Sequence, residues 1–422
     1  MKTRDDRRIY VGYMADHSHV LAAAMRFHGL DAVVLPQPDD RSLAVGLRLC
    51  RGRECLPCFL VVGDVLRLAQ ADSFDPERSA LFLPTSPGPC RFGQYGALLR
   101  DLLEQEGLGK MEILGPNAEN GYHGFGPDPR ALRTLVWQGM VAVDRLQGLL
   151  RRYRPYELEL GMADTAYERS LGDVVAATAS GGRAALTAAM RRAADRFGSV
   201  PADFSRPRPL IGIVGEIYLL TNGYSNQNLS RRIEDLGGEA ACGGLSEWVN
   251  YTNYRERSVA RVKRDARGFL RALATLGIQR FWDVRIGQPV EGLLGPHRDH
   301  PMGPLMRGLE PYYDPGLGTE AVLTLSKAIA YARSGAAGIV NVLPFACMPG
   351  IVSTAMAPML RRRLGMIPWL DIPYDAQRET NMRTRLEAFM YQAQQFTGEE
   401  RGGSVMAHNE EAPGLDRKLR EC

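Results

Sequence analysis

In the first 120 residues, short apolar runs bounded by turn residues alternate with longer stretches whose apolar positions recur at helical spacing. Ile9 to Met14, Ala32 to Leu35, Leu81 to Pro84 and Met111 to Leu114 are strand-length, while Val20 to Phe27, Leu60 to Ala69 and Tyr95 to Gln105 are helical. Strands separated by helices imply βαβ units on a mostly parallel sheet. From Pro129 to about Phe197 the pattern is helical throughout, with alanine-rich stretches at Leu132 to Tyr153, Glu157 to Ala177 and Arg183 to Arg196. Pro201 to Pro209 marks a boundary. Beyond it, strands are predicted at Leu210 to Leu220, Glu239 to Ala241, Arg280 to Val284, Gly338 to Phe345 and Trp369 to Pro373. Helices are predicted at Gln227 to Leu236, Arg257 to Leu276, Glu320 to Arg333 and Thr380 to Gln395. The expected organisation is therefore α/β: a first lobe over 1–127, a helical connector over 128–200, a second lobe over 201–397, and a disordered tail over 398–422.

Length and composition agree with this. At 422 residues, two or three domains are the natural expectation, and 45% hydrophobic with 24% charged residues is ordinary globular composition. The formal charge is only +4, and the 52 basic residues include just Lys2, Lys110, Lys263, Lys327 and Lys418 as lysines, with no basic stripe. Nucleic-acid binding thus has no electrostatic support. The longest apolar stretch, Leu210 to Leu220, contains Gly212, Gly215 and Glu216 and is half the length of a membrane span. The charged N-terminus lacks the apolar core of a signal peptide, so a cytoplasmic protein with no membrane partner is expected.

In a reducing compartment seven cysteines read poorly as disulfides, which turns attention to metal binding or catalysis. Cys55 and Cys58 lie in Glu54-Cys55-Leu56-Pro57-Cys58, just before a helix. Cys90 lies in Pro84-Thr85-Ser86-Pro87-Gly88-Pro89-Cys90-Arg91-Phe92-Gly93-Gln94-Tyr95, between a strand and a helix, and Cys347 lies in Leu343-Pro344-Phe345-Ala346-Cys347-Met348-Pro349-Gly350, directly after a strand. In open α/β sheets the carboxyl ends of the strands form the ligand crevice, and helix N-termini favour the thiolate that ligates metal. The three cysteines Cys55, Cys90 and Cys347 are the strongest candidates, Cys50 and Cys242 reading equally as small core residues. A four-thiolate zinc site remains open, although only one CxxC is present. So does a plant-type [2Fe–2S] spacing, from Cys50, Cys55, Cys58 and Cys90. Walker A, GxGxxG, HExxH and GxSxG motifs are absent, which removes the P-loop ATPase and Rossmann dehydrogenase readings. His123, and the pair His297 and His300 in a proline-rich loop, are weaker candidates for ligands.

Seven ordered segments carry a resemblance. They are Glu54-Cys55-Leu56-Pro57 with Gly63-Asp64; Gly88-Pro89-Cys90-Arg91-Phe92-Gly93-Gln94-Tyr95; Arg154-Pro155-Tyr156-Glu157; Gly215-Glu216-Ile217-Tyr218 through Asn226; Leu245-Ser246-Glu247-Trp248; Pro344 to Gly350; and Asp375 to Phe389. Up to about Gln395 the chain resembles the 2-hydroxyacyl-CoA dehydratase and benzoyl-CoA reductase subunit superfamily, nearest the acyl-CoA dehydratase activase-related (CoA protein activase) branch. The resemblance implies two flavodoxin-like (Rossmann-like) lobes and a [4Fe–4S] cluster held by three cysteines, which by position are Cys55, Cys90 and Cys347. It further implies an oxygen-sensitive protein that takes single electrons from an ATP-dependent activator carrying its own iron–sulfur cluster. Those electrons would serve reduction or radical-type dehydration of an acyl-CoA, in concert with a related subunit or a second copy. This chain lacks the ATPase domain and so is not expected to hydrolyse ATP. Its extra thiols Cys58 and Cys242 could complete a closed four-thiolate cluster or, with Cys50, a double-cubane [8Fe–9S] cluster, favouring a non-catalytic electron-transfer role. Glu54, Arg91, Gln94, Glu216, Asn226 and Glu247 lie in the matched segments and are expected to line the crevice.

Overall fold

The computed structural model describes residues 7–70, 74–85, 90–116, 120, 122, 124–377 and 381–402. Strands Arg8–Val11 (β1), Asp31–Val34 (β2), Ser79–Phe82 (β3) and Glu112–Leu114 (β4) form a parallel sheet in the order β2-β1-β3-β4. Strands Leu210–Gly215 (β5), Glu239–Cys242 (β6), Gly338–Pro344 (β7) and Trp369–Tyr374 (β8) form a second parallel sheet in the order β6-β5-β7-β8. The two lobes are thus wound alike, as the flavodoxin-like α/β expectation requires. The inner strand β7 is buried at every residue, which is why it reads as a continuous apolar run.

Between the sheets in sequence come helices Pro129–Tyr153, Met162–Ala179 and Arg183–Gly198, whose buried Val141, Leu146, Leu149, Met190 and Phe197 share one core. Val20 and Ala24, from the first lobe's helix His17–Phe27, pack into that core, and so do Trp282 and Ile286 of the second lobe. Asp144 is the joint of the three parts. Its carboxylate lies 2.7 Å from Nε2 of His17 in the first lobe and accepts from the N–H groups of Leu245, at 3.0 Å, and Ser246, at 2.8 Å, in the second. Gly244 permits the approach, because a Cβ there would stand 2.2 Å from the Asp144 carboxyl carbon.

Several expectations need correction. Arg280 to Val284 is no strand: it lies within the helix Ala266–Gly287. Phe281 and Val284 lie on that helix's exposed side and Trp282 on its buried side, so apolar residues on two faces imitate a buried strand. The run from Leu210 leaves the sheet at Gly215, whose φ of 136° turns the chain and whose Cβ would fall 1.9 Å from the Val342 carbonyl oxygen. The predicted helix Arg257 to Leu276 is two helices, Leu245–Val262 and Ala266–Gly287. They are separated at Arg264, with φ of 57°, and the second is capped by Asp265, which accepts from Gly268 N–H at 2.9 Å. The last helix runs from Met382 to Gly402, so residues 398–402, expected in the disordered tail, continue it. Its Glu-Glu-Arg sequence is helix-forming and carries it past Gly398. His123 and Cys422 fall outside the described residues. No helix among the described residues is long and apolar enough to cross a membrane.

Candidate thiol site where the lobes meet

Cys55 caps the helix Leu56–Leu68, Cys90 caps the short 3-10 turn Arg91–Gln94 that leads into the helix Tyr95–Gln105, and Cys347 caps the helix Met348–Arg363. Each cap has extended backbone and is followed by a helical turn, the local geometry in which N–H groups face the capping residue. The N–H of Phe92 points at the Cys90 sulfur, 3.5 Å away, and that of Gly350 at the Cys347 sulfur. A Cβ on Gly350 would come within 2.8 Å of Leu343, so the tight turn after β7 requires glycine there.

Arg91 ties the three loops together. From its place beside Cys90, it donates to the carbonyl oxygen of Arg53 at 2.6 Å and, across the lobe boundary, to that of Ala346 at 2.8 Å. These carbonyls stand two residues before Cys55 and one before Cys347. Ala346 holds a φ of 55°, a conformation a non-glycine residue adopts only under constraint. A second link runs from the Tyr95 hydroxyl to the Cys55 sulfur, at 2.7 Å. Cys55 and Cys347 are buried, whereas Cys90 is exposed.

The site is crowded with groups that become negative on ionisation. Burial pushes the Cys347 thiol up to about 12, and the carboxyls of Glu216 and Glu320 push in the same direction. Burial, with Glu216, raises Cys55 against the Tyr95 hydrogen bond; partial enclosure raises Cys90, with Glu320, Cys55 and Glu216 adding to it. Glu216 follows β5, caps the helix Ile217–Thr221 through the N–H groups of Tyr218 and Leu219, both at 3.0 Å, and is itself raised to about 7 by burial. Glu320 accepts from Ile217 N–H at 2.9 Å and is raised well above the usual carboxyl range by burial and by Glu216. Nothing in the sequence singled out Glu320. Its partner Ile217 lies 103 residues away, and its own position at the start of a helix reads as an ordinary first-turn acid.

Among the described residues, no three His, Cys, Asp or Glu side chains stand together as the ligands of one metal ion. A mononuclear zinc site, with every donor about 2.3 Å or less from one centre, is therefore not formed by these groups. A cubane differs, because each thiolate binds a different iron and the donors stand around the cluster. Three thiols and two carboxyls faced chiefly by one guanidinium suit a cationic core, which would reverse the upward shifts.

The remaining candidates lie elsewhere or do other work. Cys58 and Cys50 are free thiols joined by a hydrogen bond, which raises Cys58 and lowers Cys50; both are buried in one core with Leu56 and Leu60. Cys242 sits at the end of β6, 3.4 Å from the Gly243 carbonyl, among Arg151, Lys327, Glu247 and Asp144. Glu247 forms a buried ion pair with Lys327 at 2.8 Å, and His300 lies 3.3 Å from the same ammonium. His297 is buried against Glu239 at 2.8 Å. Glu54 accepts from Arg53 N–H at 3.0 Å, Gln94 is exposed, and Asn226 clasps the loop after β5 through the Leu219 carbonyl at 2.6 Å. Comparison of the chain with protein-family models and with curated proteins gives no match.

Proposed function

We propose that the protein is an iron–sulfur protein whose Cys55, Cys90 and Cys347 hold a [4Fe–4S] cluster between the lobes. Its role would be delivery of low-potential electrons to an acyl-CoA for reduction or radical-type dehydration. The observation that carries this reading is Arg91, which joins the loops of all three thiols through the Arg53 and Ala346 carbonyls. The seven-segment resemblance supports the same three residues. When bound, such a cluster supplies one-electron chemistry at low potential and, with three thiolates, one iron open to a further ligand. The chain's own groups serve it in distinct ways. Tyr95 donates toward the Cys55 sulfur, a bond that favours the thiolate and raises a reduction potential. Burial of Cys55 and Cys347 keeps water from two of the sulfurs, while exposed Cys90 is the natural approach for an electron donor. Glu216 and Glu320, both raised by burial, flank the thiols as two carboxyls that a cationic core would help to ionise. The electron donor is proposed to be an ATP-dependent activator with its own cluster. The Cys58 thiol is hydrogen-bonded to the Cys50 thiol, and Cys242 is surrounded by the Glu247–Lys327 pair and its neighbours, so a three-thiolate site is preferred over closed or double-cubane alternatives.

The test is anaerobic reconstitution with iron and sulfide, followed by metal quantitation and EPR of the dithionite-reduced protein. Cys55→Ser, Cys90→Ser and Cys347→Ser are each expected to abolish the signal, and Cys58→Ser and Cys242→Ser to leave it. Iron content indifferent to the first three substitutions would sink the proposal.

A further inference from the structure

The helix Ala266–Gly287 packs inward through Ala272, Gln279, Trp282 and Ile286. On its other side Leu270, Leu273, Ile278, Phe281 and Val284 are 65%, 39%, 54%, 58% and 50% exposed. At about 3.6 residues per turn, Leu270, Leu273, Gly277, Phe281 and Val284 lie along one stripe opposite the packed face. A helix apolar on both faces ordinarily has a partner on each.

The stripe reads the same in both directions from Gly277. Leu273 and Phe281 stand four residues to either side of it, and Leu270 and Val284 seven. Two copies of the helix laid antiparallel across a two-fold axis at Gly277 therefore set Leu273 against Phe281 and Leu270 against Val284, each twice. That is the self-complementarity an isologous dimer requires. Nothing lies within 4 Å of the point a Cβ on Gly277 would occupy. Its own fold thus makes no demand for glycine at this position, where glycine weakens a helix, whereas two backbones closing on the axis would.

We propose that this helix is the contact between two copies of the chain, paired antiparallel about Gly277. The area is sufficient. With roughly 200 Å² for a fully exposed large side chain, Leu270, Leu273, Phe281 and Val284 leave roughly 420 Å² of apolar surface per copy. Homodimer interfaces are about 65% apolar, so this corresponds to roughly 650 Å² per partner, inside the roughly 600–1,000 Å² per partner of a standard stable interface. The exposed Arg267, Arg271, Arg280 and Arg285 flank the stripe and supply the polar rim with their stems.

The test is sedimentation velocity on the full chain from about 1 to 100 µM, a range that brackets micromolar association. Wild type is expected to be dimeric at the upper end. Leu273→Lys and Phe281→Glu each bury charge twice and are expected to raise the dissociation constant by about 100-fold or more, with unchanged far-ultraviolet circular dichroism. The register makes a sharper demand. Position 273 of one copy meets 281 of the other, so the double variant Leu273→Lys/Phe281→Glu pairs opposite charges and is expected to recover dimer that both single variants lose. A monomeric wild type, single variants that remain dimeric, or a double variant as monomeric as the singles each overturn the proposal.

Discussion

Replacing Asp144 with alanine is expected to loosen the protein at its central joint. The carboxylate makes three short hydrogen bonds, to His17 at 2.7 Å, Ser246 N–H at 2.8 Å and Leu245 N–H at 3.0 Å, and is almost fully buried. Alanine leaves three buried donors without this partner, and the His17 Nδ1 atom already has none. At about 1–1.5 kcal/mol for each bond, with more for a charged acceptor, the loss is about 4 kcal/mol. That agrees with the 3–5 kcal/mol typical of breaking a buried pair from one side. At about 2.1 cal/mol/K of unfolding entropy per residue, 1 kcal/mol corresponds to about 1 °C for a chain of 422 residues, so the melting temperature should fall by about 4–5 °C. Asp144→Asn keeps one acceptor oxygen and should lose about half as much. Burial alone would raise the Asp144 carboxyl, but His17 and the Ser246 bonds outweigh it and hold the group below its ordinary value. Its contribution is thus complete above the unfolded pKa of about 3.9 and is lost as pH falls through the lower folded value. Urea and thermal denaturation at pH 7 and at about pH 3 measure both effects. A loss under about 1 kcal/mol at pH 7 would refute the reasoning.

Two further outcomes are expected. Glu216 is raised to about 7, so between its unfolded value and about 7 the folded chain binds more protons than the unfolded one, and stability falls as pH rises through that window. Glu216→Gln should flatten that slope in melts taken from pH 5 to 8, and a slope unchanged by the substitution would place its origin in another group. Gly63→Ala would put a Cβ 1.8 Å from the Ser42 carbonyl oxygen and should destabilise by about 3 kcal/mol or more, whereas Gly172→Ala, with open space around it, should stabilise by up to about 1 kcal/mol. Thermal melts of both variants check the opposite signs.

The lobes were legible because parallel strands buried on both faces leave unbroken apolar runs, of which β7 is the clearest. Glu320 to Arg333 was read to the residue for a different reason: its apolar positions are periodic and an acidic first turn and an arginine mark its ends. Helices such as Asp40–Leu49 and Met302–Leu309 were missed because their packing positions are few and glycine interrupts them. Cys55, Cys90 and Cys347 could be singled out because punctuation around helix starts is local. The partners of those thiols could not: Arg91 reaches Ala346 across 255 residues, and the His17–Asp144 pair spans 127. Such pairings are set by how the lobes close on the connector, a matter no local pattern records. At Arg280 to Val284 the misreading had a cause of its own, since the residues that disguised the helix are those that leave its outer face apolar.

Two of the candidate thiols ride on one lobe and the third on the other, with Arg91 as the existing strap. Anything that binds all three is consequently a crosslink, and closes a loop of almost three hundred residues between Cys55 and Cys347. By the chain-entropy relation a crosslink over a loop of that length removes about 5–6 kcal/mol of unfolded-state entropy. A group bound only by the closed lobes adds its own binding free energy to that. It would act as a clasp, read both in a higher melting temperature and in slower opening of the boundary to a protease.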